Sequence, residues 1–138
     1  MCVLRVTSKA ASFSGFLKNS QLPVYLSYEK GDLRDLGKRR PYEDYGFYCD
    51  VSEREWTDLL GQIGDAIVFL RKHEDELRRL ITMHVIDDIR FDFPYSCQLD
   101  ERMFLQSNYL PPEFLRLAGS LGIGVELSLY PPATDNNI

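Results

Sequence analysis

The sequence predicts an α+β domain, and three observations carry that prediction. Several short stretches alternate apolar and polar residues with a period of two, as strands do. Two longer stretches repeat apolar residues at helical spacing. The two kinds interleave: from Tyr45 onward the order is strand, helix, strand, strand, helix, strand. That order is βαββαβ, the ferredoxin-like pattern, an antiparallel sheet with both helices on one face. An extra N-terminal strand and loop segment precedes it. A chain of 138 residues is the size of one domain, expected over 1–132, with 133–138 as a flexible tail.

"CVLRVTS" alternates and reads as a strand over residues 2–8. "ASFSGFLKNSQLP" gives a short helix or turn that ends at Pro23. "VYLSY" is a short strand, and the polar, glycine-bearing stretch from Glu29 to Asp44 is a loop. "YGFYCDV" over 45–51 puts Tyr45, Phe47, Cys49 and Val51 on one face, and Tyr48 and Asp50 on the other. Ser52, with Glu55 three residues later, matches a capping box and predicts a helix start there. Trp56, Leu59, Leu60, Ile63, Ile67 and Leu70 form its stripe, which resumes at Leu77; the polar "RKHEDE" between predicts a kink near His73. "DDIRFDF" sends Ile89, Phe91 and Phe93 inward, and Asp88, Arg90 and Asp92 outward. "RMFLQS" reads as a further strand. "LPPEFLRLA" opens a helix with prolines in its first turn, where an amide partner is not missed. "VELSLY" closes the sheet, with Val125, Leu127 and Leu129 on the core side.

Composition excludes several function classes. The net charge is −5. It divides unevenly: residues 1–40 carry eight Lys/Arg against three Asp/Glu, and residues 41–138 carry eight against eighteen. A chain this acidic repels phosphate backbones, so nucleic acid is not the expected partner. No apolar run reaches the ~18 residues a membrane span needs, and the start has no signal-peptide core, so the expected location is cytoplasmic. Cys2, Cys49 and Cys97 are odd in number and widely spaced, which predicts buried free thiols rather than a disulfide framework or a zinc site.

The motifs that suggest chemistry fail on spacing. "GSLGIG" over 119–124 looks like a phosphate loop, but it follows a helix and precedes a strand, the reverse of what a phosphate site requires. Gly119 is expected to close the helix in the left-handed conformation. His73 and Glu74 begin a zinc-protease motif, yet Leu77 stands where a second histidine belongs. His73 and His84 are expected in solvated or capping roles, and neither metal nor cofactor is expected. Asp88 and Asp92 are four residues apart on one strand face, about 13 Å, too far for a carboxylate pair. A thiol nucleophile built from Cys97, His84 and Asn108 has no local support.

Two candidate sites remain. One is the outward sheet face, where Asp50, Asp88, Asp92 and Glu126 gather around Arg90, Tyr48, Ser128 and Tyr130. Its acidity favours a basic protein surface, and a second copy burying the same face in a homodimer is a further possibility. The other is the loop "YEKGDLRDLGKRRPYEDY". There Lys30, Arg34 and Arg40 are expected to grip an anionic group, with Lys38 and Arg39 nearby and Tyr28 or Tyr45 stacking on the ligand. That second reading is a sensor of, or enzyme on, a small anionic molecule.

"YGFYCDVSE", "GQIGDAIVFLRKHEDELRRL" and "YLPPEFLRLAGSLGIGVELSLYP" together resemble a family of small bacterial proteins carrying a domain of unknown function, over about residues 45–132. Similar proteins occur among the immunity-like proteins of bacterial toxin systems. The resemblance implies no catalytic residue or cofactor. With the acidic charge, it gives the leading expectation: a non-enzymatic protein-binding domain, of which an immunity-type inhibitor of a basic toxin is the specific form.

Overall fold

The computed structural model describes residues 1–34 and 40–132; Lys38, Arg39 and the tail expected over 133–138 lie outside the described residues. The elements are β1 (Cys2–Ser8), α1 (Ser14–Leu17), β2 (Val24–Tyr28), β3 (Tyr45–Ser52), α2 (Leu59–Met83), β4 (Asp88–Ser96), α3 (Pro112–Ser120) and β5 (Gly124–Tyr130). They form one five-stranded sheet in the order β2-β3-β1-β4-β5.

The α+β class holds, but the ferredoxin-like arrangement is corrected. β1 is the middle strand, antiparallel to both β3 and β4. β3 and β4 are therefore parallel to each other with β1 between them, and α2 carries the chain from one to the other. β5 then pairs with β4 in parallel, so the sheet is mixed. A parallel return needs a crossover of a dozen or more residues, and the stretch from Cys97 through α3 supplies it. That requirement explains why "RMFLQS" is not a strand: the free edge of β4 is taken by β5, and residues 102–107 run as irregular connection with Phe104 90% exposed.

The long helix departs from expectation at its start and at the kink expected near His73. It begins at Leu59, not Ser52, because Asp58 is the cap and accepts from the Gly61 amide at 2.9 Å. Ser52 belongs to β3; its hydroxyl accepts from the Arg54 amide at 3.3 Å and donates to Asp65 at 2.7 Å. Trp56 consequently lies outside the helix. α2 then runs unbroken through His73, which is buried rather than solvated at 6% exposure. At the other end Gly122, not Gly119, takes the left-handed conformation, with φ 69°, while Gly119 stays inside α3.

All three helices lie on one side of the sheet. Phe69 of α2 meets the inward Phe91 edge-on at 6.2 Å. Phe114 of α3 packs on Phe91 and Phe93 at 5.7 and 5.5 Å. Phe13, just before α1, meets Phe47 at 5.1 Å, and Ser20 and Gln21 after it bond to Glu76 of α2. Leu4, Val6, Phe47, Phe91 and Phe93 are fully buried beneath these helices. Leu127 and Leu129 share the inward parity but were expected to be covered; at 40% and 57% exposure they are not, because β5 is an edge strand beyond the reach of α3. No helix among the described residues is long and apolar enough to cross a membrane.

Candidate functional site

With every helix on one side, the opposite face of the sheet carries no helix; only at its β2 end does the 29–44 loop reach over it, where Tyr42 stacks on Tyr28, 6.0 Å from Tyr48. The register decides what it displays. Val3 stands opposite Asp50 on β3 and Asp92 on β4; Arg5 stands opposite Tyr48 and Arg90; Thr7 stands opposite Asp88; and Asp92 stands opposite Glu126 on β5. Cross-strand partners point the same way, so Asp50, Asp88, Asp92 and Glu126 all occupy this face. The N-terminal segment does not roof it, since β1 is within the sheet and α1 is on the helix side.

Two arginines organise the acids. Arg90 makes a two-pronged contact with Asp88, Nε to Oδ2 at 2.7 Å and Nη2 to Oδ1 at 3.0 Å, and reaches Glu126 at 3.0 Å. The hydrogen bonds that Arg90 donates to Asp88 and Glu126 hold its proton more firmly than usual. Arg5, which the sequence reading passed over, donates to Asp92 at 2.7 Å while its guanidinium lies 5.5 Å from the Tyr48 ring centre. Asp92 also accepts from Ser128 at 2.7 Å. At 8% exposure it orients Arg5 and Ser128 and is not itself presented to solvent. Asp50 stands apart from both clusters. Burial pushes its carboxyl above the usual range, with nearby Glu53 adding to the effect, and its Oδ1 is buried with no hydrogen-bond partner. The face thus carries four carboxylates and two guanidiniums. Aromatic rings mark two of its margins: Tyr25 is 6.1 Å from Tyr48, and Trp56 stacks on Tyr130 at 4.4 Å.

The loop is built differently from expectation. Lys30 and Arg40 line a concavity of about 550 Å³ together with Lys9, Gly31, Pro41, Tyr42, Glu43 and Asp44. Arg34 is used elsewhere, with its guanidinium 4.9 Å from the Tyr42 ring centre. The two tyrosines expected to stack on a ligand are occupied. Tyr28 is buried and stacked on Tyr42 at 3.7 Å, and Tyr45 packs against the core. Lys9 was missed in the sequence because it is far from the loop in the chain; only the place of β1 beside β3 brings it there.

The remaining chemical candidates are kept apart or silenced. His84 precedes β4 and Cys97 follows it, so about 30 Å of strand separates them. His84 sits at the end of α2 with Nδ1 3.2 Å from the Leu80 carbonyl. Cys2 and Cys49 are buried free thiols; burial raises both, Cys49 to about 12, which leaves them without thiolate at neutral pH. Among the described residues no three His, Cys, Asp or Glu side chains stand close enough to share a metal ion.

No family model, curated protein or solved structure matches the chain.

Proposed function

We propose that this is a protein-binding domain that presents its uncovered sheet face to a basic partner. The observation that carries the reading is the one-sided layering. Three helices cover one face of the sheet, and the other displays Asp88 and Glu126 on rigid strands, with Asp50 and Asp92 set deeper and an excess of carboxylates over guanidiniums. Charge pairs within the face lock its side chains in place, which lowers the entropy lost when a partner orders them. The exposed Tyr25, Trp56 and Tyr130 supply the kind of aromatic anchors that dominate binding energy. An excess of acid speeds capture of a basic surface and sets its orientation. An immunity-type inhibitor of a basic bacterial toxin is the specific form that the sequence resemblance favours.

The test is affinity capture from a lysate of the source organism, with the native chain and an Asp88→Asn/Glu126→Gln variant. The expected result is a basic protein held at low salt, released as salt rises, and lost with the variant. Capture of nothing, capture of acidic proteins only, or equal capture by the variant refutes the reading. Sizing chromatography separates this from a homodimer: a dimer that the variant dissolves assigns the face to a second copy instead.

A further inference from the structure

The concavity beside the 29–44 loop adjoins the β2 end of the sheet face through Tyr42 and Tyr28 but includes none of its four carboxylates, and its construction points to a small ligand. Its cations come from three separate places in the chain. Lys9 follows β1, Lys30 follows β2, and Arg40 lies on the approach to β3. None of the three forms an ion pair with a described residue. Glu43 and Asp44 line the same space and are likewise in no ion pair with a described residue, although opposite charges share the wall. A volume of about 550 Å³ falls within the ~300–1,000 Å³ range of small-molecule sites.

The backbone that carries these side chains is fixed. The neck of the loop is closed by a reciprocal pair, the Gly31 amide to the Tyr42 carbonyl at 2.8 Å and the Tyr42 amide to the Asp32 carbonyl at 2.9 Å. Asp32 adds a side-chain bond to the Glu29 amide at 2.8 Å. Gly31 adopts φ 93°, a conformation that only glycine takes without strain, so the turn beside Lys30 is specified by the sequence. Tyr42 is held on Tyr28 by stacking, and the Lys9 amide is bonded to Asp87 at 2.5 Å. A neck closed in this way spares a ligand the cost of ordering the chain, leaving only the lysine and arginine side chains to order on binding.

We infer that this groove binds a small phosphomonoester that also carries hydroxyl groups. Lys9, Lys30 and Arg40 hold the phosphate through charge-assisted hydrogen bonds. Glu43 and Asp44 accept from the hydroxyls, which explains why two acids line a cationic groove. A flat aromatic ligand is disfavoured, because Tyr42 already stacks on Tyr28 and contacts Arg34.

Calorimetric titration and thermal shift test this with four probes: glycerol 3-phosphate, ribose 5-phosphate, inorganic phosphate and citrate, with glycerol as the neutral control. The two phosphomonoesters should raise the melting temperature, inorganic phosphate should bind more weakly, and citrate and glycerol should leave the protein unchanged. Lys30→Gln and Arg40→Gln should each weaken phosphomonoester binding by about tenfold, the loss of one charge-assisted contact. Both side chains are exposed, and the melting temperature of each free variant shows whether its fold is intact; Lys9→Gln, on a different segment, serves as the second reporter. A flat response to both phosphomonoesters overturns the inference. So does equal binding of citrate, or unchanged affinity in all three variants. Capture of the basic partner through the sheet face should be indifferent to these variants, so failure here and failure of the proposed function read out separately.

Discussion

Gly46 lies beneath the Tyr28 ring that braces Tyr42 of the basic groove, and Gly46→Ala measures how closely that ring rests on the strand. Gly46 lies on β3 opposite Thr7 of β1 and Tyr28 of β2, and the Tyr28 side chain lies across it. A Cβ at this position would stand 2.3 Å from the Tyr28 Oη, 2.5 Å from its Cζ and 2.9 Å from the Val6 carbonyl oxygen. Carbon atoms rest near ~3.5–4.0 Å, so the ring must retreat by about 1 Å. The Val6 carbonyl cannot follow, since β1 is paired on both sides. Overpacking of this kind costs about 1–3 kcal/mol, and partial exposure of a buried tyrosine places this site at the upper end. The gain from restricting an unfolded glycine offsets only ~0.4–1 kcal/mol of it. A net loss of about 2 kcal/mol follows, or about 6–8 °C in melting temperature for a domain of this size. Urea denaturation followed by far-UV circular dichroism gives the number. Near-UV circular dichroism of the tyrosines reports whether the Tyr28–Tyr42 stack has opened. Tyr28→Ala should be costly alone but should absorb most of the added cost of Gly46→Ala, because two of the three clashes disappear with the ring. A Gly46→Ala protein within 0.5 kcal/mol of native, the scale of a neutral surface change, or strict additivity in the double variant, would show that the ring does not rest on the strand as described.

Two further predictions follow from single side chains. Asp58→Ala should lose about 1 kcal/mol through the cap of α2 and speed hydrogen exchange at the Gly61 amide, whereas Ser52→Ala should leave that amide protected. His73 is shifted below its ordinary value, first by burial and then by Lys72, with Glu76 opposing. Its neutral form is therefore the one the fold favours. Stability should be full above the unfolded value of ~6.5 and fall as pH drops below it toward the folded value, with a slope below that pH that His73→Leu removes. Asp65, lowered by the Ser52 hydroxyl, adds a loss only at pH below about 4.

The strands were legible because each states its own face: β1, β3, β4 and β5 all follow the alternation in their residues, and the grouping of Asp50, Asp88, Asp92 and Glu126 came from that parity alone. What alternation leaves open is which strand lies beside which. Nothing local in "CVLRVTS" distinguishes a middle strand from an edge; Arg5 reads as an edge charge, and the burial of Val3 on the outward side shows only in the folded sheet. "RMFLQS" has strand periodicity but no available edge to pair with, so connection length overrode propensity. The capping box at Ser52 failed for a similar reason: the serine was already committed to β3 and Asp65, and Asp58 performed the same chemistry six residues later. The basic groove was half visible. Lys30 and Arg40 share one loop in the sequence, but Lys9 joins them only through tertiary pairing, and no sequence signal shows that Tyr28 and Tyr45 are occupied internally.

The position of β1 at the middle of the sheet has a kinetic consequence. It precedes every partner in the chain, and its second neighbour, β4, ends at Ser96. During synthesis an apolar segment around Leu4 and Val6 must wait for some ninety more residues before both its edges are closed. Contacts this remote in sequence slow the search for the native state and lengthen exposure of a sticky edge. Refolding in the millisecond-to-second range, and losses to aggregation that chaperone supply relieves, are the traits to expect of a sheet assembled around its earliest strand.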